Sequence, residues 1–486
     1  MSSSEPTALQ LPAVPDDGWA QAELGTAQLG DTRRTQRLVD LAATLGAHPT
    51  ESLPDACGTP ARAKAAYRLF DLAERTPECV PEFDLPAAIL APHIAATVDR
   101  IADRPLVLAV QDTTSLDYTA HPATTGLGYL EAPQRRGLFL HSTLAVEPVA
   151  GTPLGLLASQ VWARTDAELG RRRRRKSRAT QEKESQKWLT GALASRAVVP
   201  AGVTVVQVGD READIYDLFR QVQAQPDTDM LIRAQWDRRV SEPEAHLVAT
   251  VEAQPVADER TITVPRAVER SERTARVRLR WAPVTLRPPR DRPVGLPTIR
   301  LTAILVEEVD PPATVNEPIH WLLLTSLAVT DCESAWRCVR WYSYRWRIER
   351  YHFVLKSGCR VERLQLETAK RLEACLALYS VLALRLLQLL HASRAEPDAP
   401  GTMVLSEEGW AVLWAARHPK RPMDELPPIP CVREVMRELA MLGGFMGRRG
   451  DGDPGVVTLW RGIRHLHELL TGYHLAHRLQ HFLGNA

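Results

Sequence analysis

Residues 203 to 221, VTVVQVGDREADIYDLFRQ, restrict the fold more than any other stretch. Val203 to Val208 is apolar throughout apart from Gln207, which is the pattern of a strand buried on both faces of a sheet. The amphipathic run ADIYDLFRQV follows at once, so a central strand passes straight into a helix with Asp210 at its carboxyl end. PLVLAVQDTTSLDYT predicts a second buried strand, Leu106 to Val110, that delivers Asp112 at its end. DMLIRAQWDRRV predicts a third, which places Arg233, Arg238 and Arg239 near the same edge. Ligands of open α/β sheets bind at the carboxyl ends of strands, so the expectation is an α/β protein with two acids at its working edge.

A third acid comes from WYSYRWRIERYHFVLKSG, Trp341 to Gly358, which predicts a single helix. At about 100° per residue, Tyr342, Arg345, Glu349 and Lys356 fall within an arc of roughly 60°. A salt-bridged surface column would look the same, each pair worth about 0.3 to 0.5 kcal/mol. The strand-end aspartates favour a chemical use for Glu349.

The rest of the chain supplies the frame. Its 486 residues allow two or three domains, and 44% hydrophobic with 24% charged residues is an ordinary soluble composition. Neither a membrane span nor a secretory leader is evident, so the cytoplasm is the expected location and no membrane is a partner. The seven cysteines are scattered without a C-x-x-C pair, which predicts reduced thiols and no zinc site. A net charge of +1 excludes a uniformly basic coat, so any nucleic-acid binding must be local.

Near the N-terminus, TRRTQRLVDLAATLG with Asp31 as its cap and TPARAKAAYRLFDLA with Thr59 and Pro60 at its start predict a small helical unit. Arg33 and Arg34 lie on it, as a solvated basic face or as a DNA-docking surface. GLFLHSTLAVEP and GTPLGLLASQVWAR predict a strand pair turning at Gly151, and the run Arg171 to Arg175 predicts a loop that becomes helical from about Thr180. Short alternating runs from about Glu242 to His320 predict a β-rich insertion with outward arginines. A strand at Trp321 to Leu324 follows, then a buried helix in ACLALYSVLALRLLQLLHA, the linker EPDAPG and a mostly helical remainder.

Three carboxylates from two strand ends and a helix suit hard divalent cations, and two such ions suit in-line phosphoryl transfer. Helix capping by the aspartates and a glycosidase pair remain alternatives. The surrounding arginines and lysine favour a phosphate-rich substrate.

With these residues in place, the chain resembles the bacterial DDE transposases of the insertion-sequence-four family, Tn-five type. Their Y-x2-R-x3-E-x6-K signature is met without a gap by Tyr342, Arg345, Glu349 and Lys356. QDTTSLDY, GLFLHS, EKES-x-KWL, GDREADIY, HWLLLTS, YRWRIE and LGGFM are similar to blocks of that family in the family's order, and LGDTRRTQRLV to its N-terminal module. The resemblance implies an RNase H-like mixed-sheet core with flanking helical domains. In that core Asp112, Asp210 and Glu349 would be the catalytic, metal-binding triad for two Mg²⁺ ions, with Mn²⁺ able to substitute. Tyr342, Arg345, Lys356 and Arg233 would hold DNA, Trp321 would stack on a flipped base, and Trp346 would brace that base or simply pack. His141 and Lys187 lie in matching blocks without an assigned role.

The implied organisation is a DNA-end-binding unit at 1–71, a catalytic core at 72–392 with its insertion at about 242–320, and a dimerisation and DNA-contact unit at 393–486. The implied partners are double-stranded DNA bearing terminal inverted repeats, target DNA and a second copy of the chain in a synaptic homodimer. The implied activity is cut-and-paste transposition through 3′-end nicking, hairpin formation and resolution, and strand transfer. An inactive relative that occupies ends as a repressor, and a metal-dependent nuclease without strand transfer, are the other readings.

Overall fold

In the computed structural model, residues 18–74, 83–165, 184–243, 245–264, 273–290, 295–313, 315, 317–448 and 451–484 are described. Four helices come first: α1 (Gly18–Leu24), α2 (Thr32–Ala47), α3 (Leu53–Cys57) and α4 (Pro60–Phe70). Both caps legible in the sequence form: Asp31 accepts the Arg33 N–H at 2.8 Å, and Thr59 accepts that of Arg62 at 3.3 Å.

Helix α5 (Leu85–Ile101) leads into strands β1 (Leu106–Asp117), β2 (Gly128–Tyr129), β3 (Arg136–Val146) and β4 (Pro153–Trp162). Between β3 and β4 the backbone turns at Gly151, whose φ of +70° suits glycine. Helix α6 (Gln186–Val198) then carries the chain to β5 (Thr204–Gly209), and α7 (Tyr216–Gln223) carries it to β6 (Thr228–Arg233). These helical crossovers make β1, β5 and β6 parallel neighbours at the centre of the sheet.

After α8 (Leu247–Glu252) come β7 (Asp258–Val264), β8 (Arg273–Leu286), β9 (Ile299–Glu308) and β10 (His320–Thr325). The strand order is β2-β3-β1-β5-β6-β10-β9-β8-β7, with β4 also on β3. The β-rich segment therefore lengthens the central sheet through β9 and β10. Three of its arginines are held by acids: Arg273 by Glu308, and Arg278 and Arg280 by Glu307.

Helices α9 (Cys332–Ser343), α10 (Trp346–Phe353), α11 (Ala369–Ala395), α12 (Glu407–Arg417), α13 (Val432–Leu442) and α14 (Val456–Gly484) complete the chain. The stretch Ala369–Ala392 is long and apolar enough to cross a bilayer, yet 94% of its apolar 18-residue window is buried inside the protein. Each leucine it buries contributes about 1.5 to 3 kcal/mol, which makes α11 the main support of the core. The Arg171 to Arg175 run and the helix start expected at about Thr180 lie outside the described residues.

Two expectations need correction. Strand β1 does not stop before Asp112. Its parallel ladder with β5 ends at the Val110–Val208 pair, but it continues against β3, where Asp112 faces Ser142. The predicted single helix from Trp341 to Gly358 is three pieces: the end of α9, α10, and a π-turn over Val354–Gly358.

Neither break has a local cause in proline; tertiary contacts make both. The β3–β4 turn grips the first junction: Trp341 Nε1 donates to Pro148 O (2.9 Å), Tyr344 Oη to Val149 O (2.6 Å) and Arg347 Nε to Gly151 O (3.0 Å). At the second, Gly358 passes so close to Trp460 that a Cβ there would lie 1.4 Å from the indole ring. The widened turn, closed by Cys359 N–H to Val354 O at 2.9 Å, lets the chain fit beneath it.

Candidate active site

Asp112 and Asp210 each stand two residues beyond the last paired positions of adjacent parallel strands, Val110 and Val208. Side chains alternate along a strand, so both acids leave the sheet at the same level. Asp210 also starts the turn that follows, accepting the Glu212 N–H at 2.9 Å. Helix α10 lies against β1 and presents Glu349.

Arg345 joins the two sides. Its Nη2 is 2.5 Å from Glu349 Oε1 and its Nη1 is 3.7 Å from Asp112 Oδ2. Arg345 is only 8% exposed while the Glu349 side chain keeps 36%, so the arginine is desolvated and the Glu349 side of the contact still meets solvent.

The electrostatics show how crowded the acids are. Burial, and then repulsion from Asp210 and Glu349, push Asp112 up to about 7 against the opposing pull of the Thr113 N–H and Arg345. Asp210 is also raised, chiefly by burial, with Arg345 and Lys187 working against the shift. Lys187 reaches this edge from α6 and pairs with Glu212 at 3.1 Å. Among the described residues no three metal-ligating side chains are already gathered at one point. Arg345 supplies positive charge between two of the three acids instead. Hard oxygen donors that repel one another, balanced by one arginine, fit a divalent cation.

The remaining sequence candidates divide. Tyr342 is buried, 2% exposed, and lies edge-on to Trp321 with ring centroids 5.4 Å apart. Arg233, at the end of β6, donates to His320 O at 2.9 Å, beside Tyr342, Arg211 and Arg345. Burial, with Arg211 and Arg345 adding to it, lowers its pKa, and an anion would relieve that repulsion.

Arg345 lies beside the Trp346 ring, 5.4 Å from its centroid, and Trp346 is 38% exposed. Arg233, Trp321, Arg345 and Trp346 line one cleft of about 1220 Å³. Lys356 sits farther along β1, bonded to Ser115 O (2.9 Å) and paired with Glu362 (3.3 Å), so the helical column is not one surface. Arg33 and Arg34 are not at this site. They lie on α2, where Arg34 braces the preceding loop through Leu29 O at 3.0 Å. Sequence reading passed over Arg337 and Arg340, which also line the cleft. Their spacing of three on α9, in register with Tyr344, was the available signal.

Three family models match the chain in order. Residues 16–74 match a transposase DNA-binding model, 171–386 the transposase DDE domain, and 381–481 the transposase Tn5 dimerisation domain.

The chain belongs to the Tn5-type transposases.

The transposase is thus a DNA-binding, dimerising enzyme with an RNase H-like core and a dependence on divalent metal. Its DDE match contains Asp210 and Glu349, while Asp112 lies before that match and is brought beside Asp210 by the β1–β5 pairing.

Proposed function

We propose that Asp112, Asp210 and Glu349 hold two Mg²⁺ ions, or Mn²⁺ in their place, and that the enzyme performs the full cut-and-paste sequence. Ions bound there would activate a water or a 3′-hydroxyl and stabilise the leaving oxygen. The observation that carries the reading is the placement of Asp112 and Asp210 just past the end of the parallel β1–β5 ladder, with Glu349 tied to Asp112 through Arg345.

The chain's own groups have separate tasks. Arg345 leaves the carboxylates for a backbone phosphate when DNA enters, which frees the acids for metal. Tyr342, Arg233 and Lys356 position neighbouring phosphates. Trp321 stacks on a base flipped from the end as the hairpin closes, and Trp346 braces it from the cleft wall. The α2 face carrying Arg33 and Arg34 docks on the terminal inverted repeat. The order of steps is 3′-end nicking, hairpin formation on the opposite strand, hairpin resolution and joining to target DNA. A time course on labelled end DNA with Mg²⁺ should show nick, hairpin and resolved end in that order. Resolved double-strand ends that accumulate with no hairpin at any time would contradict the sequence.

The homodimer is assigned to the end of α14. Its core-facing residues Leu459, Ile463, Leu466 and Leu470 are buried, whereas Leu475, Leu479 and Phe482 are 49%, 50% and 74% exposed. At about 100° per residue the second set lies on the opposite face from the first, so it serves no purpose in its own fold. Leu475→Asp with Leu479→Asp should convert dimer to monomer in sedimentation, with the helical content nearly unchanged. A persistent dimer would move the interface elsewhere.

Asp112 also predicts a pH effect. Its folded pKa of about 7 lies above the ordinary 3.8, so the folded protein binds a proton that the unfolded chain releases. Unfolding free energy attributable to Asp112 therefore falls as pH rises through that window. Without metal, Asp112→Asn should melt a few degrees above wild type at pH 8, the advantage shrinking as pH falls and vanishing only below the ordinary value of 3.8. An equal difference across that range would show that charge at Asp112 is not the cause.

A further inference from the structure

Asp112 has an unusual pair of neighbours. Gln111 and Thr113 flank it on β1, and strand alternation sends both to the opposite face of the sheet. There a single buried imidazole meets both: His141 Nδ1 is 2.8 Å from Thr113 Oγ1, and its Nε2 is 3.0 Å from Gln111 Oε1. Beyond Gln111 the bonds continue. Gln111 Nε2 donates to Gln207 Oε1 (2.8 Å), Gln207 Nε2 to Ser195 Oγ (3.0 Å), and Ser195 Oγ to Ala192 O (3.0 Å) on α6.

This chain has one direction. It ends on a backbone carbonyl, which cannot donate, so Ser195 gives its proton there and each amide oxygen before it must accept. His141 therefore carries its proton on Nε2, and Nδ1 accepts from the Thr113 hydroxyl. The ring is 0% exposed, and burial, with Lys187 and His352 adding to it, keeps it neutral as this pattern requires. Trp188 holds the ring edge-on at 4.9 Å. Gly191 lets α6 approach, since a Cβ there would lie 2.4 Å from Gln111 Oε1.

The position of the network matters because the β1–β5 backbone ladder stops at Val110 and Val208. Past that point Asp112 has backbone support from β3 only, and Gln111–Gln207 is a side-chain tie across the gap. We infer that His141 is a positioning residue for the catalytic acids: it grips both neighbours of Asp112, and the Gln111–Gln207–Ser195 chain ties them to β5 and α6. The distance between the Asp112 and Asp210 carboxylates is thereby set from behind the sheet. The inference rests on the proposal that these two acids hold metal.

The test compares wild type, His141→Ala, His141→Gln, Thr113→Val and Asp112→Asn as dimers on end DNA. Mn²⁺ binding is followed by electron paramagnetic resonance, and nicking is titrated with Mg²⁺. A glutamine can accept from Thr113 and donate to Gln111, so it should restore most of what alanine loses. His141→Ala should raise the Mn²⁺ dissociation constant and the Mg²⁺ needed for half-maximal nicking about tenfold, equivalent to about 1.4 kcal/mol. End-DNA affinity should stay within about twofold, because no DNA-facing group changes. Thr113→Val, which keeps the branched shape, should shift both metal curves in the same direction by less, and it carries the test if His141→Ala does not fold. Metal curves identical to wild type in the variants that fold would overturn the inference, as would a His141→Gln variant no better than alanine. If Asp112→Asn leaves Mn²⁺ binding intact, the metal assignment itself fails. Weakening by Asp112→Asn without weakening by His141→Ala removes only the positioning role.

Discussion

Asp210→Ala and Glu349→Ala should each abolish nicking, lowering its rate by roughly a thousandfold or more, equivalent to about 4 kcal/mol of barrier. Binding to end DNA should change only a few-fold in either, since the phosphate contacts are proposed to come from Arg233, Arg345, Tyr342 and Lys356. The two variants should differ in stability. Glu349 is the hydrogen-bonded carboxylate of a buried arginine, so Glu349→Ala leaves Arg345 with the longer Asp112 ion pair at 3.7 Å and should lower the melting temperature. Asp210 is raised in pKa by burial and caps one short turn, so its removal should cost less. Parallel loss of DNA binding and cleavage in both would point to misfolding and not to lost chemistry.

Trp321→Ala should separate two steps that share the same acids. Base stacking on an aromatic ring is worth about 1 to 3 kcal/mol, so hairpin formation should slow about five- to a hundredfold while the first nick stays within about threefold. The half-buried ring touches Tyr342 edge-on, and that contact is the reason for a control. Trp321→Phe retains a ring against Tyr342 and should recover most of the hairpin rate. Equal loss of nick and hairpin in Trp321→Ala would show that the indole only packs Tyr342 in place.

How far the site could be read in the sequence depended on which forces are local. Asp210 was legible because an apolar strand, a glycine and an amphipathic helix follow one another within a short span, and the structure keeps that order. The Asp31 and Thr59 caps were legible for the same reason. Helical spacing picked four residues of the active-site region, but it placed them wrongly. The β3–β4 turn and Trp460, both distant in sequence, bend the segment at Tyr344 and at Gly358. The bend buries Tyr342 and Arg345 instead of showing them to solvent, and it carries Lys356 away to Ser115.

The network behind Asp112 left a fainter trace. VLAVQD and VVQVGD each place one glutamine in an otherwise apolar strand. A buried amide needs a partner, but that the two glutamines meet depends on the β1–β5 register, which a sequence does not state. Arg345 shows the same limit from the other side. Its place in the signature was plain, whereas its position between Asp112 and Glu349 required the fold.

Asp112, Asp210 and Glu349 are proposed to form one divalent-cation site that Arg345 holds by charge until DNA binds. The most direct measurement counts Mn²⁺ bound per active site by electron paramagnetic resonance, in the free dimer and in the dimer on end DNA. Two ions per site should bind in the DNA complex, far fewer in the free protein at the same concentration, and none tightly in Asp210→Ala. Equal Mn²⁺ binding with and without DNA, or an unchanged count in Asp210→Ala, would contradict the claim.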